Sequence, residues 1–205
     1  FIRGETFMPD HWKILFGILG LPRSTDISAL TFGMLLSVSD KIIENAAAIK
    51  DLQQRANGEV TIRDALQELK AWGASALFSL TDHEEGGRVT PLIKEWKEVI
   101  TAVGDNQSLL SSLKDSPFFR PFADEARQWE VRLGNLDKYI RGLNVVQRKW
   151  VYLEPIFNRG ALPQEEARFR TVDTKFVDIM KEVQRNPKIA SLGDTPALGD
   201  TLNVL

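Results

Sequence analysis

A regular apolar stripe in the second half of the chain sets the strongest limit on its fold. Apolar side chains recur there at alternating steps of four and three residues, with one polar member. This spacing places one side chain per half-heptad on a single face of a helix. The stripe comprises Phe122, Ala126, Trp129, Leu133, Leu136, Ile140, Leu143, Gln147 and Trp150. The sequence therefore predicts a long helix with one buried face.

A proline follows this stripe and predicts an end to the helix. Pro155 lacks a backbone N–H, and its ring crowds the carbonyl of Val151. We therefore expect the helix to kink or stop near Glu154. Trp150 lies on the stripe itself, and we interpret it as a core side chain in preference to a ligand or partner site.

The first half of the chain also carries helical patterns. Apolar side chains recur at helical spacing around Ile42 and again from Ile62 to Trp72, which predicts one long helix or two nearly collinear helices over residues 30–72. Gly58 lies between these two stretches. It costs a helix about 1 kcal/mol relative to alanine, which allows a bend or break at this position.

The segment 76–93 is the part of the sequence with β-strand character. Leu77–Thr81 and Arg88–Thr90 are short β-prone runs on either side of Gly86-Gly87, which is typical of a hairpin, with an irregular loop as the alternative. The acidic cluster Asp82–Glu85 then lies at the hairpin tip. We prefer a solvated tip to a metal site, because adjacent residues on a turn rarely converge on one ion.

Two further helix boundaries follow from proline positions. Pro117, after Ser116, suits the first turn of a new helix, where its missing N–H does no harm. A last helix is expected over residues 163–186, ending before Pro187. The predicted fold class is mainly α, with elongated packed helical bundles and one small β-hairpin near residues 76–93.

Composition excludes several functional classes. The chain has 26 basic and 28 acidic residues, a formal charge of -2, so we expect no nucleic-acid partner. No apolar run approaches the roughly 20 residues that span a bilayer, so we expect no membrane partner. The absence of cysteine excludes disulfides and thiolate zinc sites.

Motifs for catalysis are also absent from the sequence. None of the 14 glycines precedes a lysine, so the phosphate-binding loop that ends in Gly-Lys-Ser/Thr is missing. The two histidines, His11 and His83, have no second histidine or cysteine at metal-ligand spacing. No Gly-x-Ser-x-Gly nucleophile motif occurs. We therefore expect no catalytic residue, cofactor or metal in this segment.

One motif resembles a known protein family. Trp150, Tyr152 and the run Leu153, Glu154, Pro155, Ile156 and Phe157 are similar to the signature of the dynein heavy chain linker. His11-Trp12, Gly20-Leu21-Pro22, residues 30–36 and residues 115–119 fit the same family in the same order. The resemblance spans roughly residues 9 to 190.

Three other stretches resemble one class of that family. Val103–Asn106, Ser112–Pro117 and Arg159–Pro163 are most similar to cytoplasmic dynein 2, the class of intraflagellar transport. On this basis residues 1–190 are assigned to the N-terminal part of a dynein linker. Residues 191–205 are assigned to a flexible or truncated tail of the fragment.

The resemblance implies a mechanical role. A linker lies across a ring of AAA+ modules in the same heavy chain, and ATP hydrolysis in the ring swings it to move cargo along microtubules. The resemblance thus places ATP and magnesium in the parent motor and not in this segment. A linker needs stiff blocks and few joints. The candidate joints are Gly58, Gly86, Gly87, Pro155 and Pro163.

The resemblance also implies partners and a location. The partners are the AAA+ ring, dynein intermediate and light-intermediate chains, intraflagellar transport particles and the microtubule, the last three through the parent chain. The location is the cytoplasm, the cytoskeleton and the cilium or flagellum. The alternative function is a non-catalytic helical scaffold or adaptor of the spectrin or coiled-coil type, which has the same stripes and the same lack of catalytic motifs.

Overall fold

The fold is mainly α-helical with an antiparallel hairpin, as the sequence predicts. The computed structural model describes residues 6–22, 25–161 and 163–204. The first part contains α1 (Pro9–Leu19), a 3-10 helix (Ile27–Ala29), α2 (Phe32–Ser37), α3 (Ser39–Glu44) and α4 (Ala46–Ser75). The second contains β1 (Leu80–Glu85), β2 (Arg88–Ile93), α5 (Trp96–Leu113), a 3-10 helix (Arg120–Phe122), α6 (Ala123–Asn158), α7 (Glu166–Arg185), α8 (Ile189–Leu192) and α9 (Pro196–Val204).

Contacts within the chain divide it into two compact units. The first unit comprises residues 1–65 and 115–122, and the second comprises residues 66–114 and 123–205. Helix α9 lies in the range assigned to a flexible or truncated tail, and it packs against α6 within the second unit. None of the helices described is both long and apolar enough to cross a bilayer.

The first unit has a small apolar core around α1. Its fully buried members are Phe7, Leu15, Leu19, Leu52 and Ala56. Helix α1 ends at Gly20, whose φ of 68° is left-handed and therefore suits glycine. The N–H of the next residue returns to the carbonyl of Phe16 at 2.8 Å, which closes the last turn.

The expectation of one or two helices over residues 30–72 is wrong, because α2, α3 and α4 occupy this range. The breaks fall at Val38 and Asn45. Thr31 caps α2 by accepting a hydrogen bond from the N–H of Met34 at 3.2 Å. The Asn45 side chain donates to the carbonyl of Lys41 at 2.9 Å, a local bond that competes with helix continuation.

Gly58 lies inside α4 with no break in the helix. A Cβ atom added at Gly58 would lie 2.0 Å from Cδ2 of Phe118. Both residues belong to the first unit. The glycine at this position therefore allows the close approach of an aromatic ring.

The hairpin is confirmed, with shifted strand boundaries. The register pairs Leu80 with Ile93 and Glu85 with Arg88. Gly86-Gly87 forms the two-residue turn with φ of 59° and 79°, the positive values that a type I′ turn requires. Residues 77–79 lie outside β1. Leu77 and Phe78 adjoin residues 187–189 instead, where the N–H of Phe78 donates to the carbonyl of Pro187 at 2.8 Å. The carbonyl of Ser79 accepts from the N–H of Lys94 at 2.8 Å.

Helix α6 confirms the predicted stripe from Ala126 to Trp150, although Trp129 is half-buried and Phe122 lies in the preceding 3-10 helix, and it does not confirm the predicted ends. It begins at Ala123, after a turn and a 3-10 helix, and not at Ser116 or Pro117. It also continues through Pro155 to Asn158, so the expected stop near Glu154 is wrong. Its fully buried side chains include Ala126, Leu133, Leu136, Ile140, Leu143 and Trp150.

The physical reason for the longer helix is the capping that follows it. A proline removes one hydrogen bond of the helix, but the residues after it can still form a further helical turn. The N–H of Gly160 donates to the carbonyl of Phe157 at 2.9 Å, and the N–H of Ala161 donates to Ile156 at 3.3 Å. Gly160, with φ of 75°, therefore ends the helix.

We predict opposite effects for alanine at two helical glycines. Gly58→Ala should lower the free energy of unfolding, because the gain of about 1 kcal/mol in helix propensity is smaller than the clash with Phe118. Gly104→Ala in α5 should raise it by about 0.5 to 1 kcal/mol, because open space surrounds that position. Urea denaturation of the chain measures both.

A second variant isolates the cause. In a Phe118→Ala background, Gly58→Ala should become stabilising, because the ring that it meets is gone. If Gly58→Ala destabilises equally in both backgrounds, the close approach of Phe118 is not the reason for the glycine.

Candidate functional site

The candidate site is a charge cluster that joins the hairpin to α6 and α7. Its members are His83 on β1, Arg88 on β2, Trp150 and Glu154 on α6, and Asp173 on α7. We call these five residues the hairpin cluster. All five belong to the second unit.

Glu154 is the centre of the hairpin cluster. It lies four residues after Trp150, at the next position of the buried stripe of α6, and is 1% exposed. A carboxylate at such a position is costly to bury unless charged or hydrogen-bonding partners surround it. One of its oxygens accepts a hydrogen bond from Arg88 and the other accepts one from His83, so both oxygens have a partner.

Arg88 links two carboxylates on two helices. Its Nη2 donates to Glu154 Oε1 at 2.5 Å and to Asp173 Oδ1 at 2.7 Å. Its Nη1 donates to Asp173 Oδ2 at 2.7 Å, which completes a bidentate pair with Asp173. The planar guanidinium has the donor geometry for this arrangement, and a lysine ammonium does not.

His83 and Trp150 complete the polar contacts. His83 Nε2 lies 2.8 Å from Glu154 Oε2, and because an ionised carboxylate only accepts, this nitrogen is the donor. Trp150 Nε1 donates to Asp173 Oδ1 at 2.9 Å.

The Trp150 ring lies among other rings. The ring centroids of His83 and Phe176 lie 5.5 and 4.7 Å from that of Trp150, and Arg88 lies over its face at 5.7 Å. Trp150 is 1% exposed, so the structure agrees with its interpretation as a core side chain.

The contacts of the hairpin cluster shift the pKa values of Asp173 and Arg88. Burial raises the pKa of Asp173, but the hydrogen bonds from Arg88 and Trp150, together with the Arg88 charge, outweigh it and hold this pKa below its usual value. The hydrogen bond to Asp173 raises the pKa of Arg88, against an opposing effect of burial. Arg88 and Asp173 are therefore both charged at neutral pH.

The cluster is suited to holding elements together. Arg88 occupies oxygens of both carboxylates. Across residues 6–22, 25–161 and 163–204, no group of three histidine, cysteine, aspartate or glutamate side chains could hold a metal ion. The chemistry of the arrangement is thus a set of charge-assisted bonds between the hairpin and two helices.

Gln147 makes a second attachment of the hairpin to α6. Its Oε1 accepts from the N–H of Ile93 at 3.0 Å, and its Nε2 donates to the carbonyl of Ile93 at 2.9 Å. The side-chain amide therefore pairs with the end of β2 as a neighbouring strand would. This contact is buried, so water does not compete for it.

The first unit contains a smaller buried pair. His11 Nδ1 accepts from the N–H of Met8 at 3.1 Å, which requires the proton on Nε2. His11 Nε2 then donates to Glu59 Oε2 at 2.9 Å, and Arg55 Nε donates to Glu59 Oε1 at 2.6 Å. The pair fixes α1 against α4.

The structure relocates the acidic cluster Asp82–Glu85. These residues lie in β1, and the tip consists of Gly86-Gly87, so the expected solvated tip is wrong for His83. The position of Glu154 on the otherwise apolar stripe of α6 is the sequence signal that could have indicated a partner for it, because an acidic side chain is rarely buried unless it is paired. Sequence alone could not identify His83, because it lies 71 residues from Glu154 in the chain.

The other signature residues lie in the last turns of α6 and not in the turn after it. Tyr152 is 72% exposed. Leu153 and Pro155 are half-buried. Phe157 stacks on Phe169 of α7, with ring centroids 4.2 Å apart. Among the candidate joints, Pro163 lies in the turn between α6 and α7.

Comparison with known proteins identifies the family. The family described as dynein heavy chain, N-terminal region 2, matches the chain over residues 1–205. The chain belongs to the dynein heavy chain family. This assignment confirms the resemblance of the signature around Trp150.

Relatives of this dynein segment also agree with the predicted class. It is 51% identical to the cytoplasmic dynein 2 heavy chain 1 of Rattus norvegicus over 203 residues, which are 98% of this chain and 5% of that one. It is 52% identical to the same protein of Homo sapiens over 193 residues, 94% of this chain and 4% of that one. Identity to a cytoplasmic dynein heavy chain of Drosophila melanogaster is 27% over 209 residues, 100% of this chain and 4% of that one.

We predict a stability loss for Arg88→Met. The variant leaves Glu154 buried without its main cation, and because Arg88 is 41% exposed we reduce the usual cost of a broken buried pair to about 2 to 3 kcal/mol. The free energy of unfolding from urea titration measures it. Arg185→Met, in an exposed pair with Glu182, should cost less than about 0.5 kcal/mol. Equal losses would contradict the role of the hairpin cluster.

We also predict that acid removes a contribution of Asp173. Its folded-state pKa is lowered, so the contribution is complete above the unfolded pKa of about 3.9 and is lost as pH falls through the folded pKa. Between neutral pH and acid, the unfolding free energy of the native chain should fall more than that of Asp173→Asn. If the unfolding free energies of the two proteins change with pH in parallel, the ion pair of Asp173 does not stabilise the fold.

Proposed function

We propose that this chain is the N-terminal part of a dynein linker, a stiff element that carries movement from an AAA+ ring to the cargo-bearing tail. The transport that it serves is proposed to be retrograde intraflagellar transport, in line with its similarity to cytoplasmic dynein 2 heavy chains. The chain spans about 5% of the length of those relatives, so the motor activity is proposed for the parent chain.

The observation that carries this proposal is the hairpin cluster. A force-transmitting part must resist relative movement of its elements. Arg88 and His83 attach the hairpin to α6 through Glu154, and Arg88 attaches it to α7 through Asp173. Charge-assisted bonds with a buried centre constrain direction as well as distance, which apolar contact alone does not.

The length of α6 supports the same role. It contains 36 residues, which corresponds to about 54 Å at 1.5 Å per residue. It packs against α5, α7, α8 and α9. Such a helix transmits displacement along its axis with little internal bending, because each turn is held by packing.

The proposed joints differ in how much packing supports them. Gly86 and Gly87 form the tip of the hairpin, and open space surrounds Gly87. Pro163 lies in the connection between α6 and α7, close to Pro155 at the end of α6. Gly58 is proposed as a joint with less support, because α4 is continuous there.

The nucleotide, the other subunits and the transport partners are proposed for the parent chain. ATP and magnesium belong to the AAA+ ring in this proposal, and the segment has no cofactor of its own. Dynein intermediate and light-intermediate chains, transport particles and the microtubule are proposed partners through the parent. The proposed location is the cytoplasm, the cytoskeleton and the cilium.

A motility experiment on the complete heavy chain tests the proposal. Arg88→Lys keeps the charge and loses the bidentate geometry, so the hairpin cluster should loosen. We expect slower microtubule gliding at an unchanged basal ATPase rate. ATP is hydrolysed elsewhere in the heavy chain in this proposal, and the looser hairpin cluster transmits less of the movement of the ring. Gliding velocity and ATP turnover are measured on the same preparation.

The matched control is Arg185→Lys, in an exposed pair on α7. It should leave both velocity and ATPase unchanged. If the two variants glide at the same velocity while the Arg88→Lys protein melts at a lower temperature, the hairpin cluster contributes to folding only. That result would count against force transmission through the cluster.

A further inference from the structure

The first unit contains an apolar cavity between α1 and the short helices that follow it. Its volume is about 280 Å³, and nine of the described residues line it. All nine belong to the first unit. Helix α1 supplies the floor through Leu15, Phe16 and Leu19, which are 3%, 2% and 3% exposed. We call this space the α1 cavity.

The wall opposite α1 is loosely packed. It consists of apolar side chains from the first 3-10 helix, α2 and α3, among them Ile27, Leu35 and Ile42. None of the residues from 25 to 51 is buried. Protein interiors contain few voids larger than a water molecule, so this wall leaves space that the described chain does not fill.

The lining gives the α1 cavity a hydrocarbon character. No charged residue is among the nine, and the indole N–H of Trp12 is the single polar group of their side chains. A water molecule needs about two to four polar partners, so water is a poor occupant of this space. A charged ligand is disfavoured as well, because no side chain of the lining could pair with its charge.

The size and the rings of the α1 cavity indicate an aromatic occupant. A dry apolar cavity of about 150 Å³ in another protein binds benzene. The α1 cavity, with about 280 Å³, therefore has room for about two fused rings. Trp12 and Phe16 both line it, with ring centroids 5.9 Å apart and ring planes inclined by 41°. Such rings favour contact with a further ring through their faces and edges.

We propose that the α1 cavity binds a small uncharged aromatic ligand of about two fused rings. This ligand contacts α1 and the loosely packed wall at the same time. By mass action it stabilises the state in which α2 and α3 lie against α1. The proposal is independent of force transmission, because the cavity lies within the first unit and includes no residue of the hairpin cluster.

Hydrogen exchange of the intact heavy chain, read by mass spectrometry, tests the proposal with naphthalene as the probe. A ligand that binds only the folded unit slows exchange that requires the unit to open. We expect naphthalene to slow exchange in residues 9–19 and 25–45 several-fold, with a saturable dependence on its concentration. Amides of α5, in the second unit, should exchange at an unchanged rate. The anion 2-naphthoate has the same two rings, and its effect should be at least about tenfold weaker because of its charge.

A matched pair of variants on α3 locates the ligand. Ile42→Trp places an indole in the α1 cavity and should abolish the effect of naphthalene. Ile43→Trp adds the same side chain at a position that is 74% exposed and outside the lining, so the effect should remain. Leu35→Trp and Leu36→Trp repeat the comparison on α2, where only the first position lines the cavity. Exchange of α1 without naphthalene establishes whether each variant is folded.

Four outcomes would overturn the proposal. Unchanged exchange in the native heavy chain would mean that the α1 cavity is closed or is filled by another segment. Slower exchange that includes α5 would mean unspecific uptake of naphthalene. An equal effect of 2-naphthoate would contradict the requirement for an uncharged ligand. An equal effect of naphthalene in both members of each pair would place the ligand elsewhere.

Discussion

The arrangement of the second unit depends on one buried carboxylate, that of Glu154. An acidic side chain that is 1% exposed is destabilising unless its oxygens are matched by donors. Arg88 and His83 supply these donors, and both come from a two-stranded hairpin that would not be stable alone. The requirement of Glu154 for partners and the requirement of the hairpin for support are therefore met by the same contacts. Asp173 then extends the connection to α7.

The polar interruptions of the α6 stripe explain where the hairpin lies. Gln147 and Glu154 are separated by seven residues, two helical turns, on a face that is otherwise apolar. Gln147 pairs with the backbone at the end of β2, and Glu154 receives side chains from both strands nearer the turn. Apolar packing alone permits sliding, because it is non-directional. Two polar contacts at fixed separation specify the hairpin position along the helix.

The same principle occurs on a smaller scale in the first unit. Glu59 is a buried carboxylate on α4, and His11 and Arg55 each donate to one of its oxygens. One histidine nitrogen also accepts from the backbone at the start of α1, so the ring fixes two elements at once. In a protein for which we propose a mechanical role, such directional contacts are a physical basis for stiffness, with glycine and proline turns between them.

The family, the mainly helical class, the buried stripe of α6 and the glycine turn of the hairpin were predictable from the residues alone. The family follows from the resemblance of the signature around Trp150, whereas the helical class, the stripe and the turn follow from local periodicity and turn chemistry. The helix stop near Glu154 and the helix start at Ser116 and Pro117 were predicted wrongly, because capping by Gly160 and the turn before α6 outweighed the local effect of proline. The partners of Glu154 were not predictable, because His83 and Arg88 lie 71 and 66 residues away in the chain, and it is the packing of the hairpin on the helix that brings them together.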